Sequence, residues 1–288
     1  MTSDSPDNAA DQEKGAGEQF DTSTDGRFFS YYEAQSQSEE TIGRFERLKD
    51  LILKAMSDRG REGPFDVIDV GGGAGTMARM FARDGHRATC VDLSADLLEV
   101  GRKRAADEGL ELRFINCSAT DIPLPDASVD VCVVPELLEH VADWEGVLNE
   151  AARIMRPAGV LYLSTTNTLC PLQDEFNLPL YSWYPGRVKR RFERLAVTTR
   201  PQVANYAKYP AVNWFTYYSL REALQARGFD RFLDRLDMIA LRLADTSKGS
   251  IARALQRIPL SRLGLQFATP NSLILAFKAG EADADSTN

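Results

Sequence analysis

The stretch FDVIDVGGGAG, residues 65–75, constrains the fold more than any other part of the chain. A short apolar run reaches Asp69 and then meets Gly71, Gly73 and Gly75 at alternate positions. An apolar run of this length bounded by glycines reads as a buried strand, and TMARMFARDGH reads as the helix after it, ending near Gly85. Three glycines between strand and helix allow a tight turn and a close approach of backbone to a ligand.

The alternation continues downstream. ATCVDLS (88–94) reads as a second strand, with Ser94 capping the helix ADLLEVGRKRAADEG. LRFIN (112–116) is the third and VDVCVV (129–134) the fourth, followed by the helix DWEGVLNEAARIM. Arg156-Pro157-Ala158-Gly159 is expected to turn into a fifth strand, VLYLSTT (160–166). Residues 167–218 break the pattern. Ser219-Leu220-Arg221-Glu222 has capping-box spacing and is expected to open a helix. RFLDRLDMIALRL (231–243) is expected as the sixth strand and SLILAFKA (272–279) as the last. Ahead of the glycines, Ile42, Phe45, Leu48, Leu51 and Ile52 fall at helical spacing. Strands and helices in this order predict an α/β, doubly wound, mostly parallel sheet.

Charge separates this core from its ends. Residues 1–25 carry seven acids against Lys14, and residues 279–288 add Glu281, Asp283 and Asp285. These two stretches hold nine net negative charges of a chain at −8, so the remainder is close to neutral at +1. Residues 1–25 and 280–288 are therefore expected as disordered tails flanking a domain at 26–279. No apolar run reaches the roughly 18 residues of a membrane span. The polar, acidic start resembles neither a signal nor a transit peptide, so a cytoplasmic setting is expected. Cys90, Cys117, Cys132 and Cys170 form no CxxC pair and are expected as reduced, structural thiols.

The glycine loop suits a nucleotide-containing cofactor at the carboxyl ends of the strands. Asp92 follows Asp69 by 23 residues at the end of the second strand, where a carboxylate can accept from both ribose hydroxyls. A dinucleotide fingerprint places glycines at positions 1, 3 and 6, whereas here they fall at 1, 3 and 5 and Thr76 takes the sixth. Asp69 beneath the loop repels a pyrophosphate and suits a cationic cofactor. The combination resembles motif I of the class I S-adenosylmethionine-dependent methyltransferases. Ser118-Ala119-Thr120-Asp121-Ile122-Pro123-Leu124 stands where that family has its adenine-binding turn, and Arg156-Pro157-Ala158-Gly159 resembles its Lys-Pro-Gly-Gly turn. The likeness covers roughly residues 28–170 and 214–279. It implies a seven-stranded sheet with an antiparallel last strand and an inserted cap. It also implies S-adenosylmethionine as cofactor, held by Asp69, Gly71, Gly73, Gly75, Asp92, Leu93, Ser118 and Ala119. Arg44, or Arg47 on the same helix, would pair with the methionine carboxylate, unless it is an ordinary solvated helix arginine, and Pro135 would line that end.

VVPELLEHVADW (133–144) is most similar to the polyprenyl-dihydroxybenzoate and demethylubiquinol O-methyltransferases. In that family the corresponding Glu-x-x-Glu-His is associated with Mg²⁺, which the resemblance carries to Glu136, Glu139 and His140. Small-RNA 2′-O-methyltransferases share the element. As a helix start, the stretch would put the three residues on one face. Three readings stay open. Two carboxylates and an imidazole suit a hard divalent ion, which would lower the pKa of a bound phenol from about 10. His140 with a pKa near ~6.5 would serve as a general base without metal. Acids in a first helical turn are also favoured by the helix dipole alone. His86, the other of two histidines, is expected to be structural.

The segment from Phe176 to Tyr218 carries 11 aromatics in 43 residues, among them Tyr206 and Tyr209. Within the expected cap at 170–218 they form either a cover for an apolar, aromatic or sugar-containing acceptor or the cap's own small core. RVKRRFERL (187–195) and the basic insert at 245–269 read as basic amphipathic helices, which seat on anionic membranes or are solvated packing helices. No recognition fold for nucleic acid is apparent. The expected activity is O-methylation of a small, apolar or lipid-linked acceptor of prenylated phenol or quinol type. The alternatives are O-methylation of a sugar, glycolipid or polar natural product, and a non-catalytic cofactor-binding partner protein.

Overall fold

The computed structural model describes residues 38–204, 210–258 and 260–280. The expected tails at 1–25 and 280–288, apart from Gly280, and the aromatics Tyr206 and Tyr209 lie outside these residues.

A helix capped by Ser38, α1 (Glu39–Ser57), leads into β1 (Asp66–Val70) and α2 (Thr76–Arg83). Then follow β2 (Arg87–Asp92), α3 (Ala95–Asp107), β3 (Arg113–Asn116), β4 (Val129–Pro135), α4 (Trp144–Ile154) and β5 (Met155–Thr166). The insert contains α5 (Gly186–Thr198) between two short 3₁₀ turns. The chain closes with α6 (Tyr217–Gln225), β6 (Phe229–Leu233), α7 (Arg235–Arg242), α8 (Ser247–Gln256), α9 (Ser261–Ala268) and β7 (Asn271–Lys278).

The strands form one sheet in the order β3-β2-β1-β4-β5-β7-β6. The pairs from β3 to β5 are parallel, and β7 runs antiparallel between β5 and β6. This is the expected doubly wound α/β sheet. Successive side chains of a strand face opposite sides. Val131 and Val133 of β4 therefore join one apolar layer with α1 and α2, while Cys132 and Val134 join the other with α4 and α6. Each such fully buried aliphatic side chain contributes about 1.5–3 kcal/mol.

Three expectations need correction. The segment 231–243 is not a strand: β6 ends at Leu233, and Asp234 and Asp237 form a capping box that starts α7. Met238 faces the sheet-side core while Leu236 and Ala240 pack with Ala252 of α8. A helix buried on two sides carries apolar residues on both, and that mimics a strand. Arg156-Pro157-Ala158-Gly159 is a bulge inside β5 rather than a turn before it. Val129 pairs Met155 but Val131 already pairs Val160. A Cβ on Gly159 would lie 2.9 Å from the Arg156 and Asp130 carbonyl oxygens, which explains the glycine. The capping box of α6 is Thr216 with Ser219, so that helix starts at Tyr217 rather than at Ser219.

The strand order reverses between β1 and β4. In open α/β sheets that switch point opens a crevice beyond the carboxyl ends of the strands. The glycine loop leaves β1 there, and Glu136 follows β4 there.

Candidate active site

Gly71, Gly73 and Gly75 all adopt left-handed backbone, with φ of 72°, 52° and 68°. The loop is strapped to β2: the Gly71 N–H donates to the Val91 carbonyl at 2.8 Å, and the Gly73 N–H to Asp92 Oδ2 at 2.8 Å. Ser94 N–H donates to the other Asp92 oxygen at 2.8 Å. Asp92 thus holds the loop as well as facing the crevice.

Asp69 lies under the loop with 1% of its surface exposed. Its Oδ2 accepts from Ala78 N–H at 3.3 Å, and its Oδ1 is buried without a hydrogen-bond partner. Burial pushes its carboxyl up to about 7 against the pull of the Ala78 bond, and the Asp92 charge adds to the rise. A Cβ on Gly72 would lie 2.5 Å from Asp69 Oδ2 and 2.8 Å from Cys90 Sγ. Gly72 is thus a site residue that the alternate-glycine spacing overlooks. A cationic cofactor over left-handed glycines, with an underpartnered carboxyl below and a second carboxylate at the rim, fits these residues.

Around the rim, Asn116 Nδ2 donates to the Asp92 and Leu93 carbonyls at 3.0 and 2.7 Å, fixing Leu93 beside the crevice. Sequence spacing did not mark Asn116. Ser118 Oγ is engaged in its own turn, accepting from Thr120 N–H at 3.2 Å, and Ala119 packs against the main core. Pro135 is the last residue of β4, opposite Ser164 of β5. His86 Nδ1 accepts from Phe65 N–H at 3.1 Å and its ring stacks on Phe65, a structural role. The four cysteines are free thiols, three of them buried.

The segment after β4 departs from expectation. Residues 136–143 form no helix; α4 starts only at Trp144, capped by Asp143, whose side chain accepts from Gly146 N–H. Glu136, Glu139 and His140 therefore do not share a helix face. Glu136 has left-handed backbone, φ 52°, and its N–H donates to the Ser164 carbonyl at 2.8 Å. Its carboxylate turns outward and pairs with Arg44. Arg44, expected to meet the cofactor carboxylate, thus engages a protein carboxylate at the crevice edge.

Glu139 turns the other way and is 2% exposed. Thr165 Oγ1 donates to its Oε2 at 2.8 Å. Burial pushes the Glu139 carboxyl up to about 8, against the opposing hydrogen bonds. The third member is Glu175, from the insert: one ligand atom each from Glu139, His140 and Glu175 lie within 4.8 Å of one another. Burial, then the charges of Glu136 and Asp174, pushes Glu175 up to about 7. Two carboxyls held above their ordinary range and an imidazole form a donor set suited to a hard divalent cation. The residues fit Mg²⁺, with Glu175 in the place expected for Glu136. Glu175 sits in LCPLQDEFNLP, and no local spacing ties it to His140.

Asn213 locks the insert onto this turn. Its Nδ2 donates to the Leu138 and Val141 carbonyls at 2.9 and 2.6 Å, and its N–H to the Glu139 carbonyl at 3.2 Å. The insert's aromatics resolve toward the second expectation. Phe176 and Tyr181 are buried with Ala196 and Ala204, flanked by Tyr184, Phe192 and Trp214, as the insert's own small core. Phe215 and Tyr217 join the main core, and among the insert's described aromatics Trp183 and Tyr218 are exposed.

Sheet order, glycine loop and switch-point crevice together define the class I methyltransferase architecture. A family model described as a methyltransferase domain matches residues 68–163. A ubiquinone/menaquinone biosynthesis C-methyltransferase of a Bradyrhizobium species is 30% identical over 193 residues, covering 64% of this chain and 73% of that one. A ubiquinone biosynthesis O-methyltransferase of Xanthomonas axonopodis pv. citri is 32% identical over 121 residues, 42% of this chain and 51% of that one. The chain spans between 51% and 66% of the length of four of the curated relatives it matches, among them the Xanthomonas enzyme. The crystal structure of the PH0226 protein of Pyrococcus horikoshii superposes with a TM-score of 0.53 at 14% identity, covering 84% of this chain and 93% of that one, which shows the shared fold. The chain belongs to the class I S-adenosylmethionine-dependent methyltransferases.

Proposed function

We propose that the chain methylates a hydroxyl oxygen of a small, apolar or lipid-linked acceptor of the prenylated phenol or quinol type. The observation that carries this reading is the Glu139, His140 and Glu175 cluster beyond the end of β4, at the same switch point as the glycine loop. Such donors bind oxygen-bearing acceptors. The names of two relatives place those proteins in quinone biosynthesis, which supports a quinol-like acceptor.

S-adenosylmethionine supplies an electrophilic methyl on a sulfonium. In the proposed step the acceptor oxygen forms a bond to that methyl carbon, and the carbon–sulfur bond breaks with its electron pair staying on sulfur. Without a metal the hydroxyl proton would pass to His140; with Glu139, His140 and Glu175 engaged as metal ligands it would pass to solvent. Glu139, His140 and Glu175 would hold Mg²⁺, whose charge would lower the acceptor's pKa. Glu136 and Arg44 form the rim. We place this activity in the cytoplasm, at the inner face of the membrane where a lipid-linked acceptor resides, with no nucleic-acid substrate.

The test is incubation of purified protein with methyl-labelled S-adenosylmethionine and a host lysate, followed by partition between organic solvent and water. The reading expects label in the organic phase, reduced about 10²–10⁴-fold by Glu175→Gln. Label confined to the aqueous phase would favour a sugar or polar-metabolite acceptor instead.

A further inference from the structure

Residues 247–268, which form α8 and α9, contain four basic residues and no acid. Ile251, Leu255 and Ile258 recur at one-turn spacing on α8 and the turn after it, and all three are exposed, Ile251 at 60%. Leu260, Leu263 and Phe267 do the same on α9, and Leu260 is 72% exposed. The two stripes meet at a tight corner, where Ser261 Oγ donates to the Ile258 carbonyl at 2.8 Å and Ser261 N–H to the same oxygen at 3.1 Å. Lys248, Arg253 and Arg257 are exposed along α8 and its end. The fourth cation, Arg262, is spent inward on Asp234 and Asp237. Large exposed apolar side chains are costly in water, and a run of them accompanied by exposed cations on the same segment matches an anionic lipid surface.

The other basic helix differs. On α5, Ala196 is buried, Phe192 packs into the insert core, and the Lys189 ammonium lies 4.1 Å from the centre of the Trp214 ring. Its inner side is already used.

The position of α9 ties this face to the reaction. Asn167, fully buried just past β5, donates from Nδ2 to the Gln266 and Thr269 carbonyls at 2.7 and 2.8 Å. Two residues earlier, Thr165 holds Glu139. One strand end therefore carries both the carboxylate of the site and the C-terminal end of α9.

We infer that the α8–α9 corner seats this protein on an anionic bilayer and brings the crevice to the membrane surface. This inference builds on the reading of a lipid-linked acceptor, but its test needs no acceptor. Full-length protein is floated with vesicles of phosphatidylglycerol and phosphatidylcholine, and with phosphatidylcholine alone. S-adenosylmethionine binding by calorimetry reports an intact fold. The wild type should float with the anionic vesicles and release at high salt. Leu260→Asp with Phe267→Asp, and separately Lys248→Glu with Arg257→Glu, should each weaken vesicle affinity by about tenfold or more with cofactor binding unchanged. Absence of binding, equal binding of wild type and variants, or a Leu260-dependent dimer by light scattering in place of vesicle binding would overturn it. Vesicle binding without methylation of a quinol would instead count against the acceptor assignment alone.

Discussion

Glu139 lies beyond the end of β4, where a carboxylate would ordinarily stay in water, yet only 2% of it is exposed. Its backbone explains the burial: the Glu139 carbonyl accepts from Val212 N–H at 2.8 Å, which draws the turn beneath the insert. A carboxyl raised by burial from 4.5 to about 8 keeps its proton in the folded protein after the unfolded chain has lost its own. The folded state then binds more protons than the unfolded state between those values, so stability falls as pH rises through that window. In metal-free buffer we expect the unfolding midpoint to drop from pH 5 to pH 8, and Glu139→Gln to flatten that slope; thermal melts across the range check this. The candidate site is half legible at this scale. Glu139 and His140 are visible because they are adjacent to a strand end, as Asp69 and Asp92 are. Glu136 misleads, since its left-handed φ of 52° turns it away from the position a helix would give it. Glu175 reaches the crevice through tertiary placement that no nearby residue encodes, while Asn116 ends a strand the sequence shows but carries no motif to mark it.

Elements follow the sequence closely where a strand is a short, fully buried apolar run or a helix buries a single face. β1, β2, β4 and the helices packed on them carry clear periodicity and caps such as Ser94, whose side chain accepts from Leu97 N–H. Legibility fails where a helix is buried on two sides, as in α7, or where a bulge hides in a strand, as in β5. The insert is opaque for a further reason: its aromatics serve its own core rather than an acceptor. Its coupling to the site runs through Asn213, which satisfies the Leu138 and Val141 carbonyls. Asn213→Ala should cost about 1–3 kcal/mol in denaturant unfolding, because it leaves part-buried carbonyls without donors. It should lower kcat while leaving S-adenosylmethionine affinity near the wild-type value, as the glycine loop is held separately by Asp92. An equal loss of cofactor affinity would mean that the insert and the loop are coupled.

At the scale of the whole molecule, the alternation of strands and helices and the glycine loop suffice to place a crevice between β1 and β4. Two sets of groups meet there: the glycine loop over Asp69, and the Glu139, His140 and Glu175 cluster from the turn after β4 and the insert. What the alternation does not encode is which atom of the acceptor receives the methyl group, since that depends on how the insert presents it. The most direct test is carbon-13 NMR of the product made by purified protein from methyl-¹³C S-adenosylmethionine and a prenylated dihydroxyaromatic acceptor. The account predicts an O-methyl ether, formed in Mg²⁺, lost with chelator, and reduced about 10²–10⁴-fold in Glu139→Gln. A methyl group on a ring carbon, or a Glu139→Gln variant turning over at the wild-type rate, would contradict it.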